Sequence, residues 1–255
     1  MQSSSEVAAA FARVSRDLLT RPDGELTFER IAARAVAVIP PCDAASITLR
    51  RKRGSTETVG ATGDLALVCD QLQYQFAEGP CVDAVFDGEA YYIDDVATDE
   101  RWPKWGPAAA EAGVGSVLSV RMANDDEVLG ALNLYATAKH GYDADAVDLA
   151  LVFASHAATA ISNARLVDGL QTALQSRHLI GVAQGILMAR YDMDMETSFE
   201  VLRRYSSHAN VKLREIALQV VETGSLPEDY ASVSHPDANS DLDRPDPSPE
   251  PLTNA

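Results

Sequence analysis

Three cysteines, Cys42, Cys69 and Cys81, are all that 255 residues hold, and no two form a CxxC pair. That excludes a disulfide-stapled scaffold and a cysteine-ligated structural zinc. Histidine is almost as scarce. His140, His156, His178, His208 and His235 form no HxxxH or HExxH pattern, so the usual helical metal-ligand pairs are missing. Ser116 and Ser119 lack the glycine context of a nucleophile elbow. Together these gaps predict a protein that is not an enzyme and needs no metal. No run reaches the ~18 apolar residues of a membrane-spanning helix. Met1–Ala10 reads MQSSSEVAAA, not a basic segment followed by an apolar one. The expectation is a cytoplasmic chain with reduced thiols and no membrane contact. Positive charge is the minority sign: 21 Lys and Arg stand against 38 Asp and Glu, for a net charge of −17. Such a chain repels nucleic acid as a whole, so any nucleic-acid role requires a local basic face.

What is present is a hydrophobic fraction of 46%, enough for a core, divided into four stretches. In the first, to about Tyr142, Phe11–Leu19 and Phe28–Ile39 have helical apolar spacing, and Ala44–Arg50 alternates at period two. Gly115–Met122 and Glu127–Ala136, joined by Asn124-Asp125-Asp126, read as a hairpin. The mixture predicts an α+β layer of helices on an antiparallel sheet. The second stretch, Asp143 to Ser176, has no proline and one glycine. Leu149, Phe153, His156, Ala160, Asn163, Val167, Leu170 and Leu174 are spaced 4-3-4-3-4-3-4 along it. That is a heptad seam over about four heptads. It predicts a coiled-coil homodimer, although its first half can equally pack on its own domain. The third stretch reads as three short helices. Their apolar sets are Ile180/Ala183/Leu187, Phe199/Leu202/Tyr205 and Leu213/Ile216/Ala217/Val220. Asp194 and Asn210 are placed as N-caps of the second and third. The fourth stretch is acidic and proline-rich, as in DRPDPSPEP, and is expected to be disordered.

The polar residues admit two readings each. Arg177, Arg190, Arg203, Arg204, Lys212 and Arg214 fit a phosphate-contacting face or a solvated face paired with Glu196, Glu200 and Glu215. Gly181 and Gly185, with Ala189, form a smooth stripe; tight helix packing is the expectation for Gly181 and a contact role for Gly185. Cys81 follows Pro80 near a helix start, where a thiolate is favoured, and reads as a redox sensor or a plain buried cysteine. Tyr91, Tyr92, Trp102 and Trp105 suit a ligand pocket or a core. Asp94, Asp95 and Asp99 suit a metal pair or, more simply, helix caps at a strand-to-helix connection.

Two sets of strings carry a family resemblance. R177-x-x-I180-G181-x-A183-x-G185-I186-L187-M188-A189-R190, then F199-x-x-L202-R203-x-x-S206, then N210-x-K212-L213-R214-x-x-A217 resembles the ANTAR module of bacterial antiterminator proteins. Gln184 departs from it, since many members carry lysine there. E78-G79-P80-C81-V82-D83-A84, I93-D94-D95-V96-A97-T98-D99-x-R101-W102-P103 and G130-A131-L132-N133-L134-Y135 resemble a GAF sensory domain. No cyclic nucleotide is carried over, because Asn133 and Asp143 echo that constellation while Ala136, Thr137 and Tyr142 do not.

The resemblance implies a GAF sensor at 20–145 behind an N-terminal helix at 1–19. It implies a connecting coiled-coil helix at 146–176, a three-helix ANTAR module at 177–226 and a tail at 227–255. It implies a signal-responsive transcription antitermination regulator whose partner is RNA, namely paired hairpins of the nascent transcript. The RNA-binding residues would be Arg177, Gln184, Gly185, Arg190, Arg203, Arg204, Lys212 and Arg214. No cofactor is expected, and an unknown small ligand of the GAF domain would have Cys81, Tyr92 and Trp102 as candidate contacts. The rival expectations are a DNA-binding transcriptional regulator and a ligand or redox sensor that acts through protein contacts.

Overall fold

The structure is a computed structural model that describes residues 27–51, 55–86, 88–124 and 127–226. The expected N-terminal helix and acidic tail lie outside the described residues. The chain divides into two compact units, 1–167 and 168–255.

The first unit is built on a five-stranded antiparallel sheet. Its elements run α1 (Phe28–Val38), β1 (Ala44–Arg50), β2 (Thr56–Ala61), α2 (Asp64–Phe76), α3 (Pro80–Phe86), β3 (Ala90–Ile93), α4 (Trp105–Glu111), β4 (Ser116–Ala123) and β5 (Val128–Ala136). The strand order is β2-β1-β5-β4-β3. The period-two strand and the hairpin stand where the sequence put them, with Leu118 opposite Leu134 and Val120 opposite Leu132.

The two sheet faces differ in chemistry. On one, Ile47, Leu49, Leu118, Val120, Leu132 and Leu134 pack against Ile31 and Ala35 of α1. The long helix α5 (Ala144–Tyr191) completes that core with Ala150, Phe153, Ala154, Ala157, Ala158 and Ile161. Four of those six are alanines, which let a helix approach a sheet closely. The other face carries α2, α3 and α4, and its core is built around Trp102, Trp105 and Tyr135.

This packing splits the heptad seam. Phe153 and Ala160 are buried in the domain's own core, and Leu149 packs against it. Val167, Leu170 and Leu174 are exposed, as is Leu166 outside the seam. The sheet takes the first half because α5 turns its alanine-rich side there, and Phe153 lies on that side. By composition one 18-residue window of α5 is apolar enough to cross a membrane, but α5 is a core helix whose apolar side covers the sheet.

In the second unit the helix does not stop at Ser176. Nothing between Thr172 and His178 breaks it, and α5 runs 48 residues to Tyr191 before Asp192 turns left-handed at φ 51°. The first of the three short helices is therefore the end of α5. It is followed by α6 (Met195–Ala209) and α7 (Leu213–Thr223). Asp194 caps α6 as expected, its carboxylate accepting the Thr197 N–H at 2.7 Å.

Asn210 corrects the sequence reading. It ends α6 in the left-handed conformation at φ 53°, and Lys212 takes the N-cap position of α7 without a side-chain cap. Asn tolerates left-handed backbone, so it serves a C-terminus as readily as an N-terminus. Ala183, Leu187, Leu202, Ile216, Ala217 and Val220 form the core. Phe199 lies outside it, 37% exposed. The buried side of α6 runs through Ser198, Leu202 and the half-buried Tyr205, so Phe199 falls on its flank.

Candidate nucleic-acid interface and sensor core

The eight residues named for RNA contact separate by what already holds them. Gln184 is a clasp: its amide donates to the Met195 carbonyl at 3.0 Å and secures the start of α6. Arg190 donates to the Gly224 carbonyl at 3.1 Å, tying α5 to the end of α7. Its charge there favours the negative end of the helix dipole. Arg203 is forked on the Glu200 carboxylate, with Nη2 at 2.6 Å and Nε at 3.2 Å. Arg214 stands 3.9 Å from Glu215, a weak exposed pair. Arg177, Arg204 and Lys212 are exposed, and among the described residues no protein group pairs with their charges.

The glycine stripe is open. A Cβ built at Gly181 or Gly185 meets nothing within 4 Å. The tight packing expected at Gly181 is therefore absent from the packing of the described chain. At Gly181 and Gly185 α5 offers exposed backbone.

On α6 the exposed side carries Glu200, Arg203, Arg204, Ser207 and His208, which line a depression of about 340 Å³. Their places at i, i+3, i+4, i+7 and i+8 put them on one helix face, opposite Leu202. The His208 Nδ1–H donates to the Arg204 carbonyl at 3.0 Å, which fixes the ring. Ser207 went unread in the sequence, Glu200 was expected only as an ion-pair partner, His208 only as a histidine outside any metal pattern, and Phe199 as core. For Glu200, Ser207 and His208 the signal was spacing that kept them off the Leu202 face, and spacing does not distinguish a solvated residue from a contacting one.

In the first unit the candidate ligand residues do not form one cluster: Cys81 and Trp102 share a sheet face, and Tyr92 does not. Cys81 sits on the α3 side of the sheet, and Trp102 lies in the core beside Trp105. Tyr92 packs from the opposite face, its hydroxyl donating to the Asp94 carboxylate. Both tryptophans are committed structurally. The Trp102 indole donates to Asp83 at 2.8 Å and the Trp105 indole to the Cys69 carbonyl at 3.1 Å. Asp95 and Asp99 accept the N–H groups of Ala97 and Arg101, as turn caps do. No metal-holding group of His, Cys, Asp or Glu occurs among the described residues.

The EGPC string folds around Gln73. The Gln73 Oε1 accepts the Cys81 N–H at 2.7 Å, and Gly79 adopts φ +144°, where a side chain would collide with that same oxygen. The Glu78 carboxylate accepts the backbone N–H of Trp105 at 2.8 Å, at the start of α4.

Cys81 is fully buried, and burial pushes its thiol up to about 12, with the neighbouring Asp70 adding to the rise. A thiol so held carries almost no thiolate at neutral pH, the opposite of a redox sensor. It borders a buried polar centre. Asp70 accepts from the hydroxyls of Thr58 at 2.7 Å and of Tyr135. The Gln73 amide donates to Tyr135 at 3.2 Å, and the Asn133 amide donates to Ser46 and Thr48, each at 3.1 Å. Burial raises the Asp70 carboxyl, and its hydroxyl and amide donors partly offset that.

Comparison with known proteins places both halves. The GAF domain family matches residues 25–162, more than half the chain, and the ANTAR domain family matches residues 168–221. No curated protein matches the chain. Among solved structures, the GAF domain of a phosphoenolpyruvate-protein phosphotransferase from Coxiella burnetii aligns with a TM-score of 0.52 at 17% identity, covering 66% of this chain and 99% of that one. The corresponding domain from Acinetobacter gives 0.50 at 15% identity, with 66% and 99% covered. A bacteriophytochrome from R. palustris gives 0.55 at 10% identity, covering 79% of this chain and 47% of its own. At these identities the likeness is one of fold. GAF and ANTAR are sensor and regulatory domains, not catalytic ones. The chain belongs to the GAF domain family and carries an ANTAR domain behind it, the architecture of a signal-responsive regulator with an RNA-binding output.

Proposed function

We propose that this protein is a cytoplasmic transcription antitermination regulator. Its GAF domain takes an input, and its ANTAR helices bind paired hairpins of the nascent transcript, favouring an antiterminator over a terminator. One observation carries the reading: α6 spends Leu202 on the module core and turns Arg203 and Arg204 outward, while Lys212 stands exposed at the start of α7. In a chain of net charge −17, such a local cationic face suits RNA loops, whose unstacked bases and phosphates are open to side chains. No bond is made or broken. Arg204, Lys212 and Arg177 are the foremost contacts in this reading. Arg190, Gln184 and Arg203 act with a second, structural duty, and Arg214 and Gly185 lie at the edge.

A homodimer goes with the proposal. The exposed Val167, Leu170 and Leu174 of α5 bear the heptad spacing, and a second copy of the helix would cover them. Sedimentation of the full chain should give a dimer, and Leu170→Asp with Leu174→Asp should dissociate it. A monomeric parent would refute the seam. For RNA, filter binding of paired hairpins with duplex DNA as competitor tests the output. Hairpins should hold against excess DNA; displacement by DNA would favour a DNA-binding regulator.

A further inference from the structure

Within the cationic face of α6 stands an acid. The Glu200 Oε2 is gripped by Arg203, with Nη2 at 2.6 Å and Nε at 3.2 Å, while its Oε1 has no protein partner among the described residues. Glu200 also lines the 340 Å³ depression with Arg203, Arg204, Ser207 and His208. A phosphate diester offers only acceptors, so a carboxylate contributes nothing to holding one and repels it. A nucleobase is different. Adenine, cytosine and guanine each carry an exocyclic amino group that a carboxylate oxygen accepts from.

We propose that this depression receives one unpaired base of the RNA loop and that Glu200 reads it through an exocyclic amino group. The assignment rests on the RNA-binding reading above and adds to it a residue that sets sequence preference. The parts are suited to the task. The Arg203 fork neutralises the carboxylate's charge toward the incoming backbone yet leaves Oε1 free to accept. The guanidinium planes of Arg203 and Arg204 stack on bases as readily as they meet phosphates. His208, held by its bond to the Arg204 carbonyl at 3.0 Å, lines it too. The Ser207 hydroxyl adds a group that both donates and accepts. The volume lies at the small end of the roughly 300–1,000 Å³ range of ligand sites, fit for one base and not for a duplex groove.

The sign of one substitution decides the matter. If Glu200 is only a negative charge on an RNA-binding face, removing it tightens binding. If it reads a base, removing it weakens binding. The probe is a synthetic hairpin pair selected from a loop-randomised pool by the full unmodified chain. Each loop position is then remade with the analogue that lacks the amino group: inosine for guanosine, purine riboside for adenosine, a 2-pyrimidinone nucleoside for cytidine.

We expect one position at which the analogue weakens the parent about tenfold, the effect of one lost base contact. Glu200→Ala should bind the selected hairpins about tenfold more weakly and be indifferent to the analogue there. Glu200→Gln, whose amide oxygen still accepts, should recover part of the loss. Glu196→Ala, an exposed acid on α6 outside the depression, should bind as the parent does or more tightly. All are surface variants, checked by unchanged circular dichroism. Equal or tighter binding by Glu200→Ala, or a retained penalty for the analogue, overturns the assignment while leaving the RNA reading intact. If the unmodified chain selects no hairpin, the RNA reading falls and this inference with it.

Discussion

Arg204→Ala is the cleanest perturbation of the cationic face. Its side chain is exposed, sits on α6 away from Leu202, and has no protein partner among the described residues. Its removal should therefore leave helix content and unfolding temperature unchanged, because alanine is at least as good a helix former as arginine. What it should change is the counterion balance. Each phosphate contact to single-stranded RNA contributes roughly 0.7 to the slope of log K against log salt. Raising salt from about 50 to about 200 mM would then weaken the variant about 2.6-fold less than the parent. Arg190→Ala is the instructive contrast. That guanidinium also donates to the Gly224 carbonyl at the end of α7. Its loss should lower the unfolding temperature by the equivalent of about 1 kcal/mol as well as weaken binding. Filter binding over a salt series, with thermal melts of each variant, separates the two. Parallel log–log lines for parent and Arg204→Ala would refute the phosphate contact, and a lowered melting temperature in that variant would refute the claim that its side chain is structurally idle.

Leu202 is fully buried in the three-helix core, so Leu202→Ala should cost ~2–5 kcal/mol of stability; a chemical denaturation curve that barely moves would show that the module does not fold around it. Burial pushes the thiols of Cys69 and Cys81 up to about 12 and that of Cys42 to about 11, so the native protein should resist iodoacetamide near pH 8 and label fully only in denaturant, whereas rapid native labelling would return Cys81 to the reactive class. Asp70 has its carboxyl raised by burial, so the folded state holds its proton more tightly than the unfolded chain, whose value is about 3.9. The stability it contributes is present below that value and is lost as pH rises through the raised folded one. The stability of Asp70→Asn should lack this decline, and identical pH profiles for variant and parent would refute it.

Periodicity determined much of this protein without any tertiary information. The alternation in Ala44–Arg50 made a strand, the turn residues between two apolar runs made the β4–β5 hairpin, and Asp194 with its following residues made the start of α6. These are local matters, since a strand or a cap is decided by residues within a few positions of one another. The strings shared with GAF and ANTAR domains were also linear. Other features depended on what came to lie against each residue. The seam of α5 is one continuous repeat in sequence, with its first half expected to pack on its own domain; where the division falls was decided by the sheet, which covered Phe153 and Ala160 and left Leu170 and Leu174 exposed. Phe199 had the spacing of a core residue, yet the core of the module was reached by Leu202 and Tyr205. Arg190, Arg203 and Arg204 were alike as charges. They became different when a carbonyl 34 residues away took the first, a carboxylate one turn back took the second, and nothing took the third. A repeat states which residues share a face; only the folded chain states what covers that face, because burial and pairing are made by groups distant in sequence.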